Sequence, residues 1–436
     1  DFAYNANNML ENVTRYSDLA GSTKVAYSTY LYDALNRITQ QDDRKGSDNS
    51  MLASYLYSYD IASRITSQTI NGATNTFAYD TTNQLTGDGT TNVTYDATGN
   101  RNNGGNTVGA GNRLTNDGIY TYTYDKEGNL TKKSKATNDE TWTFEYNNHN
   151  QLIRVEKRAT DGGTLQMRAS YAYDVFGNRH SREVDADGDG SFETAQYYFY
   201  DAWKTERGHL KPVVGNENWD IYAEANGSYE FQTHYLRTDK TDSLTARFGS
   251  GSTNVRWTLT DYQGSVRNIL DSAGVNKSTV VYDGYGKISS QTDSSELGRY
   301  CWTGREIDVE TGLRHNRARY YDPATGRWIS QDPLGFDAGD SNLYRYVKNQ
   351  ATLEADPSGL KAAVFIQVYY EKDTRIGNFQ FDKKSILQIE SKVNDYFQAA
   401  MKNQGASKTL HINFIGRTRD ELESMGNKKQ LGWGKT

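Results

Sequence analysis

The chain has 436 residues, too many for one compact core, and its 49 basic against 55 acidic side chains leave a net charge of −6, which indicates neither nucleic-acid binding nor a solvated charged tail. Hydrophobic residues reach 35% with 33 tyrosines among them, and the mean hydropathy is −0.85, which excludes an ordinary aliphatic domain, while 12% aromatic residues exclude simple disorder. Cys301 is the only cysteine, the six histidines are scattered with no H-E-x-x-H, and no run of about eighteen apolar residues occurs, so an intrachain disulfide, a zincin site and a membrane-spanning helix are excluded as well.

The chain opens on Asp1-Phe2-Ala3-Tyr4-Asn5, which reads as the interior of a repeat and predicts a natural beginning further upstream. Tyr-Asp then recurs at Tyr32-Asp33, Tyr59-Asp60, Tyr79-Asp80, Tyr95-Asp96, Tyr124-Asp125, Tyr173-Asp174, Tyr200-Asp201 and Tyr282-Asp283, with Tyr146-Asn147 as a decayed copy. Residues before these pairs alternate, as in Tyr120-Thr121-Tyr122-Thr123-Tyr124 and Trp142-Thr143-Phe144-Glu145-Tyr146, which is the period of a strand with two unlike faces. Glycine-asparagine turns follow several of them, at Gly99-Asn100, Gly128-Asn129 and Gly177-Asn178. Strand, turn and strand at a rough period predict stacked β-hairpins that cover one another's faces. Tyrosine buries its ring and keeps its hydroxyl wet, so the expected fold is all-β, a spiralling hairpin sheet forming a hollow shell.

At 185–193, Asp185, Asp187 and Asp189 with Gly190 match the first half of a calcium loop. Gln196 stands where the bidentate glutamate should be and the flanks read as strands, so a polar hairpin tip is the plainer reading and calcium the alternative.

Three of the four prolines, Pro323, Pro333 and Pro357, fall in one window. Two Asp-Pro-x-Gly elements sit there, Asp332-Pro333-Leu334-Gly335 and Asp356-Pro357-Ser358-Gly359, the second followed by Leu360. Proline restricts each aspartate's backbone, and Gly359 permits a tight turn. Two carboxyls brought together by such turns would share a proton, as hydrolysis of an amide requires. Asp-Pro-x-Gly is also an ordinary turn signature.

Beyond Leu360 the composition changes. Residues 361–436 carry 13 Lys+Arg against 8 Asp+Glu, a net of +5, so the first 360 carry −11. Ala362–Tyr370 reads as a strand, Asp382–Asn403 as a helix with Ile386, Ile389, Val393 and Phe397 on one face, and Thr409–Ile415 as a second strand. This is the start of a small α/β domain. The chain ends abruptly at Gly434-Lys435-Thr436, and further effector residues are expected past it.

From Asp261-Tyr262-Gln263-Gly264 through Trp302-Thr303-Gly304-Arg305, Arg317-Ala318-Arg319-Tyr320-Tyr321-Asp322-Pro323, Gly326-Arg327-Trp328 and Asn342-Leu343-Tyr344-Arg345-Tyr346 to Leu360, the chain resembles the core of Rhs/YD-repeat polymorphic toxins, and is similar to the C subunits of Tc toxins. The resemblance implies a YD-repeat shell over 1–260, a core acting as inward plug and aspartic autoprotease over 261–360, and the beginning of a toxin over 361–436. It further implies a closed β-cocoon, catalytic Asp332 and Asp356, and single-turnover cleavage between Leu360 and Lys361, with no cofactor required. Arg319 and Arg327 flank the motif and would either hold one aspartate ionised or merely fix a loop. The spacing departs from the family by an insertion at Gly339-Asp340-Ser341, which leaves Asp337 and Asp340 as competing acids. Expected partners are the chain's own C-terminal fragment, delivery machinery and an immunity protein, and the expected setting is a bacterial protein exported or injected into a target cell. A YD-repeat adhesion shell without proteolysis, as in teneurins, and a passive structural repeat are the alternatives.

Overall fold

The computed structural model describes residues 1–360 apart from 19, 136–138, 201–202, 207–208, 213–219, 239–241 and 250–253, and, past 360, the strand segments 363–371, 375–376, 379–380 and 409–417. Its architecture is that of long antiparallel meanders. Seven strands from Phe2–Tyr4 to Ala73–Thr76 form one sheet, and sixteen from Asn106–Val108 to Ile288–Gln291 form another, with neighbours in space following neighbours in sequence. A hairpin of Trp203–Glu206 and His209–Pro212 interrupts the chain between the paired strands Thr194–Tyr200 and Ile221–Asn226. Among the described residues the helical pieces are short 3-10 turns.

The Tyr-Asp pair builds the turn. Asp33 Oδ1 accepts from the amides of Leu35 and Arg37 at 2.9 and 3.0 Å, and its Oδ2 from Arg37 Nε at 2.7 Å. Asp60 repeats this on Ala62 and Arg64, and Asp174 on Phe176 and Asn178. The fourth residue of each turn is left-handed, Asn36 at φ 59° and Gly177 at φ 85°, which is why asparagine and glycine follow the aspartate. The turns at Asp261, Asp271 and Asp283 use the same bonds, so strand pairing carries on past residue 260.

The tyrosine does a second job. Tyr59 donates its hydroxyl to the Ile38 carbonyl at 2.7 Å, Tyr79 to Ile65 at 2.8 Å, Tyr173 to Leu152 at 2.8 Å and Tyr282 to Val266 at 2.9 Å. Each acceptor is the first residue after the preceding turn, so these tyrosines tie their hairpins to the ones before, whereas the Tyr146 hydroxyl of the decayed copy has no hydrogen-bond partner among the described residues. Tyr59→Phe is expected to cost about 0.5–1.5 kcal/mol in chemical denaturation, the net worth of one such bond, whereas Tyr4→Phe, at an exposed ring, should cost nothing measurable.

The core sheet comprises Glu306–Asp308, Leu313–Asn316, Arg319–Asp322 and Arg327–Trp328. It packs on the shell through aromatic clusters, with Tyr321, Trp328 and Tyr346 against Leu85, Val280 and Tyr282, and with Leu313, Tyr320 and Ile329 against Phe144, Leu152 and Val155. A buried ion network joins the same layers. Arg179, on the shell, holds Asp308 at 2.6 Å and Glu306 at 2.8 Å, and Glu306 also meets Arg299.

Past Leu360, Ala363–Glu371 and Thr409–Arg417 pair in parallel. Parallel neighbours need a crossover of a dozen or more residues, in keeping with the α/β start read from the sequence. The helix expected over 382–403 lies outside the described residues.

Candidate active site

The third core strand begins after a two-residue hairpin loop, Arg317-Ala318. Such loops demand left-handed backbone, and Arg317 adopts it at φ 57° although glycine or asparagine would do so with less strain. Its guanidinium is held by Asp242 at 2.6 Å and donates to the Pro357 carbonyl, contacts that offset the strain. Asn316 donates to the Asp356 carbonyl at 2.7 Å, and the Ala318 amide to the Ser358 carbonyl at 3.1 Å. The hairpin thus fixes the 356–360 turn from one side.

Arg319 fixes it from the other. Its guanidinium lies 4.1 Å over the Trp328 ring, and its Nη2 is 2.7 Å from Asp332 Oδ2 and 3.5 Å from Asp356 Oδ2. Nε donates to the Gly359 carbonyl and Nη1 to the Leu343 carbonyl at 3.2 Å. Arg319, Asp332 and Asp356 are all buried. Asp332 closes its own turn, Oδ1 accepting from the Leu334 amide at 3.0 Å, and the exposed Pro333 between them has no amide to compete. Asp356 Oδ1 accepts from the Ser358 amide and hydroxyl at 3.2 and 3.1 Å and from the Gly359 amide at 2.9 Å.

Burial pushes the Asp332 carboxyl above its ordinary range against the pull of Arg319, and the nearby Asp356 adds to the rise. Burial likewise lowers the Arg319 guanidinium, against the pull of both aspartates. One buried cation between two carboxyls favours holding a single proton in the group, the state suited to acid–base work.

Gly359 has φ 71°, and a Cβ on it would lie 2.4 Å from the Asn316 carbonyl oxygen and 2.9 Å from the Arg319 amide. Neither atom can move without the sheet. Gly359→Ala is therefore expected to cost more than about 1 kcal/mol in urea denaturation and to detach the turn from Arg319. Leu360 is half-buried, its amide 3.2 Å from Ser358 Oγ, and Lys361 lies outside the described residues.

The competing acids are placed elsewhere. Asp340 is engaged by Arg345 at 2.8 Å, and Asp337 is exposed on the 3-10 turn Gly335–Ala338. Arg327 does not flank the pair as the spacing suggested. Alternation along its strand turns it the other way, over the Tyr344 ring and onto the Asn112 carbonyl. Asn316 was not singled out from the sequence, and Arg317 and Trp328 entered only within the motifs of the resemblance; strand alternation could not have placed Arg317, which sits in the loop.

At 185–193, Asp185, Asp187 and Asp189 are joined by Glu193, with one oxygen of each within 4.8 Å of the others. Backbone amides already engage these groups: Gly188 and Gly190 on Asp185, Asp189 on Asp187, Ser191 on Asp189 and Ala186 on Glu193. Both a polar hairpin tip and a calcium loop have this arrangement.

A family model described as Teneurin YD-shell matches residues 101–352. YibJ of Escherichia coli is 36% identical over 114 residues, which are 26% of this chain and 47% of that protein. Toxin protein Tse5 of Pseudomonas aeruginosa is 28% identical over 221 residues, 48% of this chain and 16% of that one. The chain thus spans less than half the length of either relative. In the crystal structure of TcdB2-TccC3, 82% of this chain is matched at a TM-score of 0.52 and 19% identity, over 21% of that chain, which shows a shared fold.

Proposed function

Because the chain belongs to the Teneurin YD-shell family and is related to toxins carrying the same repeats, we propose that it is a toxin shell that cuts itself once, between Leu360 and Lys361, and keeps the residues beyond as its cargo. One observation carries this reading: the Arg319 guanidinium touches Asp332, Asp356 and the carbonyl of Gly359, one residue before the bond to be cut. Two buried carboxyls on one cation also occur around Arg179, so what sets this group apart is its bond to Gly359, next to the proposed cut.

In the proposed reaction Asp356 takes a proton from water as the water oxygen bonds to the Leu360 carbonyl carbon. Asp332 gives its proton to the Lys361 nitrogen, and the C–N bond breaks to leave a Leu360 carboxylate and a Lys361 amine. Arg319 holds the turn and keeps the pair from ionising as two uncompensated charges. The elevated Asp332 suits the acid. Cleavage on refolding is accordingly expected to slow as the pH rises through the raised pKa of Asp332, where the acid loses its proton; a rate that climbs steadily into the alkaline range would reverse the role given to it.

The opposite net charges of 1–360 and 361–436 and the separate parallel strand pair support a basic cargo distinct from the shell. On this reading the chain acts in a bacterial export or injection system, with delivery machinery and an immunity protein as partners. A denaturing gel with N-terminal sequencing tests the cut: two bands, the smaller starting at Lys361, are expected, and a single band favours an adhesion shell. Size exclusion of the native protein in about 1 M salt, where charge is screened beyond about 3 Å, tests retention separately. Co-elution is expected, and a tail that separates would refute enclosure while leaving the cut standing.

A further inference from the structure

The shell turn that carries Arg101 meets the core loops at 325–327 and 342–349 around a cavity of about 20 Å³, the size of a single water. Three guanidiniums line it, those of Arg101, Arg327 and Arg345. They are not equivalent. Arg345 is neutralised by Asp340 through two bonds of 2.8 Å. Arg327, 8% exposed, spends Nη2 on the Asn112 carbonyl and sets Nη1 3.5 Å from Asn100 Oδ1, and its Nε has no hydrogen-bond partner. Arg101 lies 4.0 Å over the Tyr285 ring, and its Nε and Nη2 have no partner. Among the described residues no carboxylate lies within 4.0 Å of Arg101 or Arg327. Asp96 and Asp283 act on them through space alone.

Buried arginines elsewhere in the fold are treated in two ways: Arg15 and Arg314 each bond a neutral group with no carboxylate within 4.0 Å among the described residues, while those of the network around Arg179 are ion-paired. Arg179, Arg182 and Arg299 each hold a carboxylate within 2.8 Å. Two buried cations sharing one cavity without such a partner carry a large desolvation cost that hydrogen bonds to neutral groups do not offset. The phenols around Arg101 do not help, because burial raises Tyr95 and Tyr285 and keeps them neutral. Water could accept from the three unspent N–H groups, but it would leave both charges standing. The adjoining polar groups are spent: Asn342 Nδ2 on the Thr98 carbonyl and Asn100, and Asn349 Nδ2 on Gln84 and the Gly99 carbonyl. What remains is a pocket of donors and positive charge the size of a small ion.

We propose that this cavity binds a halide-sized monovalent anion, chloride, which neutralises Arg101 and Arg327 and clasps the shell turn to the core loops. The proposal is independent of the cleavage reading.

The test uses the full chain, moved into sodium gluconate and titrated with sodium chloride at constant ionic strength. Chloride is expected to raise the thermal midpoint saturably, by about 2–4 °C, and crystals soaked in bromide should show an anomalous peak between Arg101 and Arg327. Arg101→Gln should abolish the chloride dependence, and Arg327→Gln supplies the same readout should the first variant fail to fold. Equal midpoints in gluconate and chloride, a cavity refined with water and no anomalous signal, a bromide peak without stabilisation (an adventitious ion only), or chloride dependence persisting in both variants would each overturn the proposal.

Discussion

Asp356→Asn is expected to leave the chain as a single band where the parent gives two, with cleavage slowed by about a hundred- to ten-thousand-fold, the usual weight of a general acid or base. Asparagine has almost the shape of aspartate, and its carbonyl oxygen can still accept from the amides of Ser358 and Gly359, so the turn should survive. What it loses is the ability to take a proton. Asp332→Asn should give the same single band for the complementary reason, since its amide keeps the bond to Leu334 and has no acidic proton to give. Thermal midpoints close to the parent's would show that chemistry, not folding, was lost. If both variants cut at the parental rate, the pair is not the catalyst, whatever its geometry.

Arg179→Met is expected to remove about 3–5 kcal/mol of stability, because it leaves buried Asp308 on the core sheet with its nearest remaining cation, Arg182, at 4.0 Å, and leaves Glu306 to Arg299 and the more distant Arg305. The hydroxyl of Tyr320 loses its donor as well. A comparable change at the surface, Arg37→Met, breaks an ion pair with Asp33 that retains water contact and should cost about 1 kcal/mol or less. Urea denaturation of both separates the two magnitudes. The network also sets a direction with pH. Burial alone would push Glu306 up, but Arg299 and Arg179 pull it well below the ordinary range, so its share of stability is present at neutral pH and lost on acidification. His315, which burial lowers to about 4, is neutral at pH 7 and adds no attraction there; it too favours unfolding as the pH falls from about 6.5 toward 4.

Local chemistry was legible and distant chemistry was not. Tyr59-Asp60 announces its turn because the carboxylate acts on amides two and four residues away, and Asp332 and Asp356 announce theirs in the same manner. The meeting of those two aspartates is another matter. It depends on Arg319 reaching both from a strand ahead of them in the chain, and on a hairpin at Arg317-Ala318 whose strained backbone no local propensity favours. Arg327 shows the opposite failure. Both it and Arg319 flank the motif in sequence, yet one step of strand alternation sends the two arginines to different neighbours.

The hydroxyl ties described for Tyr59, Tyr79 and Tyr173 also determine how this shell would fail under load. The carbonyl bond of each one spans successive turns, while the hydroxyls of Tyr79 and Tyr173 also meet Thr352 and Tyr320. Tension applied along the chain at a free sheet edge therefore falls on one tie at a time, and the meander should peel hairpin by hairpin through a train of small, similar force steps instead of bursting in one event. Where the core sheet and its aromatic clusters grip the strands, the train should stop and a much larger step appear. Pulled from that edge, the molecule would thus give way easily up to the core sheet and resist there.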